Sequence, residues 1–199
     1  MRHLHCMIFL TAFLFSKTFG QTETYKKLLD TAVSPSNSLF VSSKPIGIIK
    51  LNTNKMWEYY NNYIDDSRLA LDTVMFAQII QNSKHADTTL WSDAELDRII
   101  LIKKRTDPVD INYVISKFSL QGNRQIKPYK KIINDFISVP PADRRIYSYS
   151  RPVFDNSKQF AIVQWNNEHN GISSEGGIIL YQSTEDGWAE LGSVLTWKY

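Results

Sequence analysis

The chain has 199 residues, of which 43% are hydrophobic and 22% are charged, with a formal net charge of +3. This composition is typical of a globular protein and excludes a disordered or fibrous one. The charge is too small to give the basic footprint of a nucleic-acid-binding protein, so we expect no nucleic-acid partner.

The first twenty residues have the order of a secretory signal peptide. Arg2 gives a positive start, an apolar block runs from Cys6 to Phe15, and a small-residue exit ends at Gly20. The block is too short to cross a bilayer, which takes about 20 residues. We therefore predict cleavage after Gly20, a mature chain that begins at Gln21 without a transmembrane segment, and export to the periplasm or the extracellular space.

Processing would also change the charge and the cysteine content. Loss of Arg2 and Lys17 leaves 21 basic and 20 acidic residues, a net charge of +1. The only cysteine, Cys6, is removed too, so the mature chain can form neither an intramolecular disulfide nor a cysteine-based zinc site. A cysteine-free exported domain favours a bacterial source. Because Cys6 precedes the apolar block, where a lipoprotein needs a cysteine just after it, we expect no lipid anchor.

The first half of the mature chain, up to about residue 137, is predicted to be mostly helical. Apolar residues recur at helical spacing in three segments: 22–34, 54–63 and 69–82. Two shorter segments are less clear, since Leu39–Val41 suits a loop or a short edge strand and Ile46–Leu51 suits a short strand. Ser92 and Glu95 form the Ser-x-x-Glu pattern of a capping box and predict a helix from Asp93. Ile99–Ile102 could instead be a buried strand.

Beyond Pro140 and Pro141 the hydrophobic period becomes two, which predicts four strands: 146–154, 159–167, 177–183 and 188–198. Asp186-Gly187 is typical of a type I′ turn, and Asn166–Gly176 is predicted to be a polar loop. The simplest fold is one α+β domain over residues 21–199. Its mostly helical N-terminal half would pack on a C-terminal four-stranded antiparallel meander of about 145–199.

The C-terminal segment resembles small exported proteins of Bacteroidota, most of them without an assigned function. The resemblance covers about residues 145–199 and lies in the following elements: Tyr149-Ser150-Arg151-Pro152-Val153-Phe154, Phe160-Ala161-Ile162-Val163, Gly176-Gly177-Ile178-Ile179-Leu180-Tyr181, Gly187-Trp188 and Trp197. It implies a bacterial source and a tryptophan-containing antiparallel sheet. It implies no activity and no catalytic residue.

One candidate site is the polar loop at 166–176. Glu168, His169 and Glu175 could form an acid–base or metal cluster there. A solvated polar loop without chemistry explains the same residues. The two histidines of the mature chain have no metal-binding spacing, so we expect no bound metal and no cofactor.

The other candidate is an aromatic surface on the predicted strands. Trp165, Tyr181, Trp188 and Trp197 fall on neighbouring strands and could stack on sugar rings or on a partner. Trp197 shares its apolar face with core residues, whereas Trp188 lies on the opposite face, so Trp188 is the residue expected to be exposed and to bind.

These observations favour an exported, non-enzymatic protein that binds a partner protein or a component of the cell envelope. The alternative is an exported hydrolase that uses Glu168, His169 and Glu175, since pairs of carboxylates leave no sequence motif. A purely structural role is the third interpretation.

Overall fold

The computed structural model describes residues 23–34, 39–49, 51–52, 54–56, 58, 73–119, 126–169 and 173–198. The predicted signal peptide and its cleavage site lie outside the described residues. The same holds for most of the predicted helix at 54–63, of which 54–56 are helical, and for the first residues of the predicted helix at 69–82.

In the described residues, seven strands form one mixed sheet. They are β1 (Phe40–Ser42), β2 (Ile100–Ile102), β3 (Ile146–Tyr149), β4 (Val153–Phe154), β5 (Phe160–His169), β6 (Ser173–Thr184) and β7 (Gly187–Lys198). The order across the sheet is β2-β1-β3-β5-β6-β7, and β4 pairs with β5. β1 is parallel to both β2 and β3, and the remaining pairs are antiparallel.

Helices cover both faces of this sheet. They are α1 (23–32), α2 (Thr73–Ser83), α3 (Ile111–Ser119) and α4 (Ile126–Ser138), followed by a 3₁₀ turn at Pro141–Asp143. α1 and the turns of residues 91–99 bury one face, which includes Val41 and Val163. α2 covers Ile162 and Ile178 on the other face. α3 and α4 cover the neighbouring part of that second face at β1, β2 and β3.

The predicted fold class is wrong. The sheet is not a four-stranded antiparallel meander, because β1 and β2 from the N-terminal half extend it with parallel pairs. The helices do not form one layer on one face, because α1 and α2 pack on opposite faces. Strands of three residues are too short to show an alternating pattern, so sequence periodicity could not separate β1 and β2 from loops.

The capping box at Ser92 forms, but no helix follows it. The Ser92 N–H donates to the Glu95 carboxylate at 2.9 Å, and the Glu95 N–H donates to Ser92 Oγ at 3.3 Å. The chain continues as turns to residue 99 and then enters β2. The alternative prediction, a strand at Ile99–Ile102, is correct for residues Ile100–Ile102, which form β2. The strand predicted at Ile46–Leu51 is absent from residues 46–49 and 51.

The pairing of β5 with β6 and of β6 with β7 follows the predicted antiparallel order. The predicted first strand is interrupted at Ser150–Pro152, and both pieces, β3 and β4, pair with β5. Proline cannot donate to a strand ladder, which explains the break. Glu185 and Asp186 form the last turn, and neither has the positive φ that a type I′ turn requires at both central positions, so the predicted turn type is wrong. Gly187, with a φ of 143°, is the first residue of β7.

None of the helices in the described ranges combines the length and the apolar character needed to span a bilayer.

Candidate functional site

The predicted polar loop at 166–176 is mostly strand. Asn166–His169 pairs with Ser173–Gly176, and only residues 170–172 between them lie outside the described residues. In this register Glu175 lies opposite Asn167, and Glu168 lies opposite Ser174. Neighbouring residues of a strand point to opposite faces. Glu168 and Glu175 therefore lie on opposite faces of the sheet.

Each of these carboxylates has its own partner. Glu168 Oε2 accepts from Arg105 Nη2 at 3.3 Å, and Glu175 Oε1 accepts from the Asn167 amide at 3.1 Å. The side chain of His169 lies outside the described part of the structure. The fold does not bring the two glutamates together, so the hydrolase alternative gains no convergent acid–base pair from the geometry.

Trp188 is buried, so the expectation that its ring is exposed is wrong. Its side chain is 8% exposed, and its indole N–H donates to the Thr24 carbonyl at 3.1 Å. The ring also meets Phe154 edge-on, with centroids 5.7 Å apart. The cause is α1, which covers the sheet face that the sequence pattern left open.

A buried arginine that the sequence analysis did not single out hydrogen-bonds to Tyr25 of α1, next to the Thr24 carbonyl that accepts from Trp188. Arg151 is 8% exposed, and its guanidinium donates to Glu95 Oε1 at 2.5 Å and to the Tyr25 hydroxyl at 2.8 Å. It lies over the Trp91 ring, 4.5 Å from the centroid. Partial burial raises the pKa of Glu95, but the hydrogen bonds from Arg151 and Ser92 and the charge of Arg151 together outweigh it, so the pKa lies below its ordinary value. Every donor of this arginine faces a protein acceptor or ring, so the cluster acts as a structural link between α1, the 87–95 segment and the sheet.

A second buried arginine lines a groove between α4 and the sheet. This arginine groove has a volume of about 390 Å³ and is formed mainly by Leu39, Phe40, Ile132, Phe136, Val139 and Arg144. Its volume lies within the range of about 300–1,000 Å³ that small-molecule sites occupy. The lining is mostly apolar, with one buried cationic group, Arg144.

The local sequence explains the groove. Ile132 and Phe136 lie four residues apart in α4 and so share one side of the helix, and Val139 follows directly after its last residue, Ser138. The Phe136 ring stacks on Phe40 of β1, with centroids 3.6 Å apart. Ile132 remains 41% exposed and forms the outer lip.

Pro140 and Pro141 end α4 and start the 3₁₀ turn, which returns the chain under the helix. This reversal places Arg144 at the base of the groove. Its Nε donates to the Val139 carbonyl at 3.4 Å, and its Nη1 donates to the Asp107 carbonyl at 3.0 Å. Its Cζ lies 5.2 Å from the centroid of the Phe136 ring.

The charge of Arg144 is not neutralised by a carboxylate within the described chain. The side chain is 7% exposed, its acceptors are backbone carbonyls, and it forms no ion pair with the described residues. Among the described residues, the fully buried side-chain polar atoms that lack a hydrogen bond belong to Trp91, Asn166 and Asn167. Nη2 of Arg144 also makes no hydrogen bond but is not one of these atoms, so it keeps some access to solvent. Asp135, Asp143 and Arg145 also line the groove.

Other cavities lie elsewhere on the described residues, and two of them are of similar size. One of about 350 Å³ lies beside Trp197, Gln164 and Asn166, but Gln164 Oε1 already accepts from the Ile49 N–H and Asn166 Oδ1 is enclosed. The other, of about 460 Å³, is open and lies beside His85 and Asp155. Within the described ranges, no group of three or more His, Cys, Asp or Glu side chains is placed to hold a metal ion.

No protein-family model, curated protein or solved structure matches this chain. The fold is thus described by its own geometry, a mixed sheet with helices on both faces. The resemblance of residues 145–199 to exported proteins of Bacteroidota stays a prediction.

Proposed function

We propose that this chain is an exported, non-enzymatic binding protein, located in the periplasm or outside the cell, and that it takes an apolar ligand in the arginine groove. The observation that carries the proposal is a mostly apolar groove of about 390 Å³ with a single buried guanidinium at its base. Small-molecule sites combine apolar walls with a few placed polar groups in this way. Export rests on the order of charge, apolar block and small residues at the N-terminus.

The non-enzymatic part of the proposal is supported by the positions of the candidate carboxylates. Glu168 and Glu175 lie on opposite faces of the sheet, and each is hydrogen-bonded to another side chain. A hydrolase that uses two carboxylates needs both on one substrate. The ligand under this proposal is a component of the cell envelope or a small molecule from outside the cell.

The test is binding of N-phenyl-1-naphthylamine, a neutral apolar dye whose fluorescence rises in apolar sites. Ile132→Arg places a charge and added volume on the lip of the groove. Leu90→Arg is the matched control, because Leu90 is 64% exposed and is not part of the groove. We expect saturable dye binding by the unmodified chain and by Leu90→Arg, and weakened binding by Ile132→Arg. Equal binding by all three proteins would contradict the proposed site.

A further inference from the structure

The arginine groove carries an inference about the class of its ligand, which rests on the proposed function. We infer that the ligand is a single-chain amphipathic monoanion, an alkyl carboxylate, with its chain against Phe40, Ile132 and Phe136 and its carboxylate at Nη2 of Arg144.

The first step is the state of Arg144 without a ligand. A buried charge is unfavourable unless it is paired and hydrogen-bonded. Arg144 satisfies Nε and Nη1 with the carbonyls of Val139 and Asp107, but those groups supply dipoles and no negative charge. The guanidinium therefore keeps its positive charge without a paired carboxylate, and both N–H groups of Nη2 lack a hydrogen bond to the described residues.

The second step is the kind of head group that would pair with the Arg144 guanidinium. A carboxylate oxygen at Nη2 would form a charge-assisted hydrogen bond, the stronger class of such bonds. The bond would form next to the Phe136 ring, where the effective dielectric constant is lower than in water. A neutral or cationic head group could not compensate the charge of Arg144.

The third step is the net charge of the ligand. Asp135, Asp143 and Arg145 line the same groove beside Arg144, so its two aspartates and two arginines have a formal net charge of zero. One negative charge bound at Arg144 makes this group of charges net negative, and a second negative charge on the ligand would be repelled by it. A monoanionic carboxylate is therefore favoured over the dianion of a phosphate monoester. The apolar walls require that the carboxylate is joined to a hydrocarbon chain.

The experiment is an NMR titration of the full mature chain with octanoate, 1-octanol, octylammonium and acetate. The first three share one chain length and differ in head-group charge, and acetate has the head group without the chain. We expect octanoate to bind about tenfold more tightly than 1-octanol, as one charge-assisted hydrogen bond predicts. Octylammonium and acetate should bind more weakly than either.

Two variants test the inference while leaving Arg144 unchanged, so they do not depend on whether an Arg144 variant folds. Asp135→Asn removes a negative charge at an exposed position of the groove, and we expect it to raise octanoate affinity about two- to threefold while leaving 1-octanol unchanged. Asp186→Asn makes the same chemical change in the distant β6–β7 turn and should change neither affinity. Arg144→Gln should reduce the octanoate preference over 1-octanol to about one, provided that its thermal unfolding remains cooperative.

The outcomes distinguish a failure of the carboxylate inference from a failure of the proposed function. If 1-octanol or octylammonium binds as tightly as octanoate, the groove binds apolar chains, the proposed function stands and the carboxylate inference is overturned. If none of the four compounds binds, both are overturned. An octanoate preference that Asp135→Asn does not increase would place the carboxylate away from this groove and would also overturn the inference.

Discussion

Arg144 donates a hydrogen bond to the backbone carbonyl of Asp107, 3.0 Å away and 37 residues earlier in the chain. The bond joins the segment after β2 to the residue that follows the 3₁₀ turn, and the Phe136 ring at the end of α4 lies against the same guanidinium. An arginine in this position both stabilises the packing of α4 and gives the groove its charge.

The cluster around Arg151 predicts a large effect for a small chemical change. Glu95→Gln removes the carboxylate that pairs with this buried guanidinium. We expect a loss of about 2 kcal/mol in the free energy of unfolding, below the roughly 3–5 kcal/mol of a fully buried pair because Glu95 is partly exposed and Asp87 remains nearby. Asp30→Asn is the control, since its ion pairs are more exposed and should contribute less than about 1 kcal/mol. Equal losses by urea denaturation would contradict the structural role of Arg151.

The same pair predicts a pH dependence. The folded-state pKa of Glu95 lies below its ordinary value of 4.5. The ionised carboxylate therefore stabilises the fold above pH 4.5, and this stabilisation is lost as the pH falls through the folded-state pKa. The fall in unfolding free energy between pH 7 and pH 3 should be smaller in Glu95→Gln than in the unmodified protein. An identical fall in both proteins would show that other carboxylates account for the acid sensitivity.

Gly176 allows two strands and an indole to approach closely. A Cβ at this position would lie 2.6 Å from the Trp165 carbonyl oxygen and 2.6 Å from the Trp197 ring. Gly176→Ala should lower the unfolding free energy by about 1–3 kcal/mol through overpacking. Gly47→Ala is the matched control because a Cβ there meets nothing within 4 Å. If the two variants unfold at the same denaturant concentration, the close contact at Gly176 is not as described.

Trp188 should behave as a core residue. Trp188→Ala removes a side chain that packs on Phe154 and donates to the Thr24 carbonyl, so we expect a loss of about 3–5 kcal/mol. Leu90→Ala, at a 64% exposed position, should change stability by less than about 0.5 kcal/mol. A change at Trp188 as small as that at Leu90 would mean that the ring is solvent-exposed after all.

Export is tested on the N-terminus of the protein recovered from a bacterial host that expresses the full 199-residue chain. N-terminal sequencing of the envelope fraction should begin at Gln21, or be blocked where that glutamine has cyclised. An envelope product that retains Met1 would contradict the predicted cleavage.

Parts of the fold followed from local sequence. The period-two pattern located β5, β6 and β7 and their antiparallel order, because long strands alternate over many residues. The helical pattern located α2, which begins at Thr73 inside the predicted 69–82 segment. The parallel pairs of β1 could not be predicted, since Phe40 meets Ile100 sixty residues away and each strand has only three residues.

The candidate site was missed for a similar reason. Arg144 follows a proline pair and has no motif around it, and its position depends on Asp107, Val139 and Phe136 meeting in space. The burial of Trp188 could not be predicted, because no local sequence pattern indicates that α1 covers its face. Helices on both faces of a sheet make strand alternation a poor guide to exposure.

The most direct test of the binding proposal is a map of backbone amide shifts on addition of octanoate to the mature chain. We predict that the largest changes fall on Phe136 in α4, on Val139 directly after it, on Phe40 in β1 and on Arg144. Shifts confined to the residues around Trp197, or spread evenly over the sheet, would contradict the assignment of the arginine groove as the ligand site.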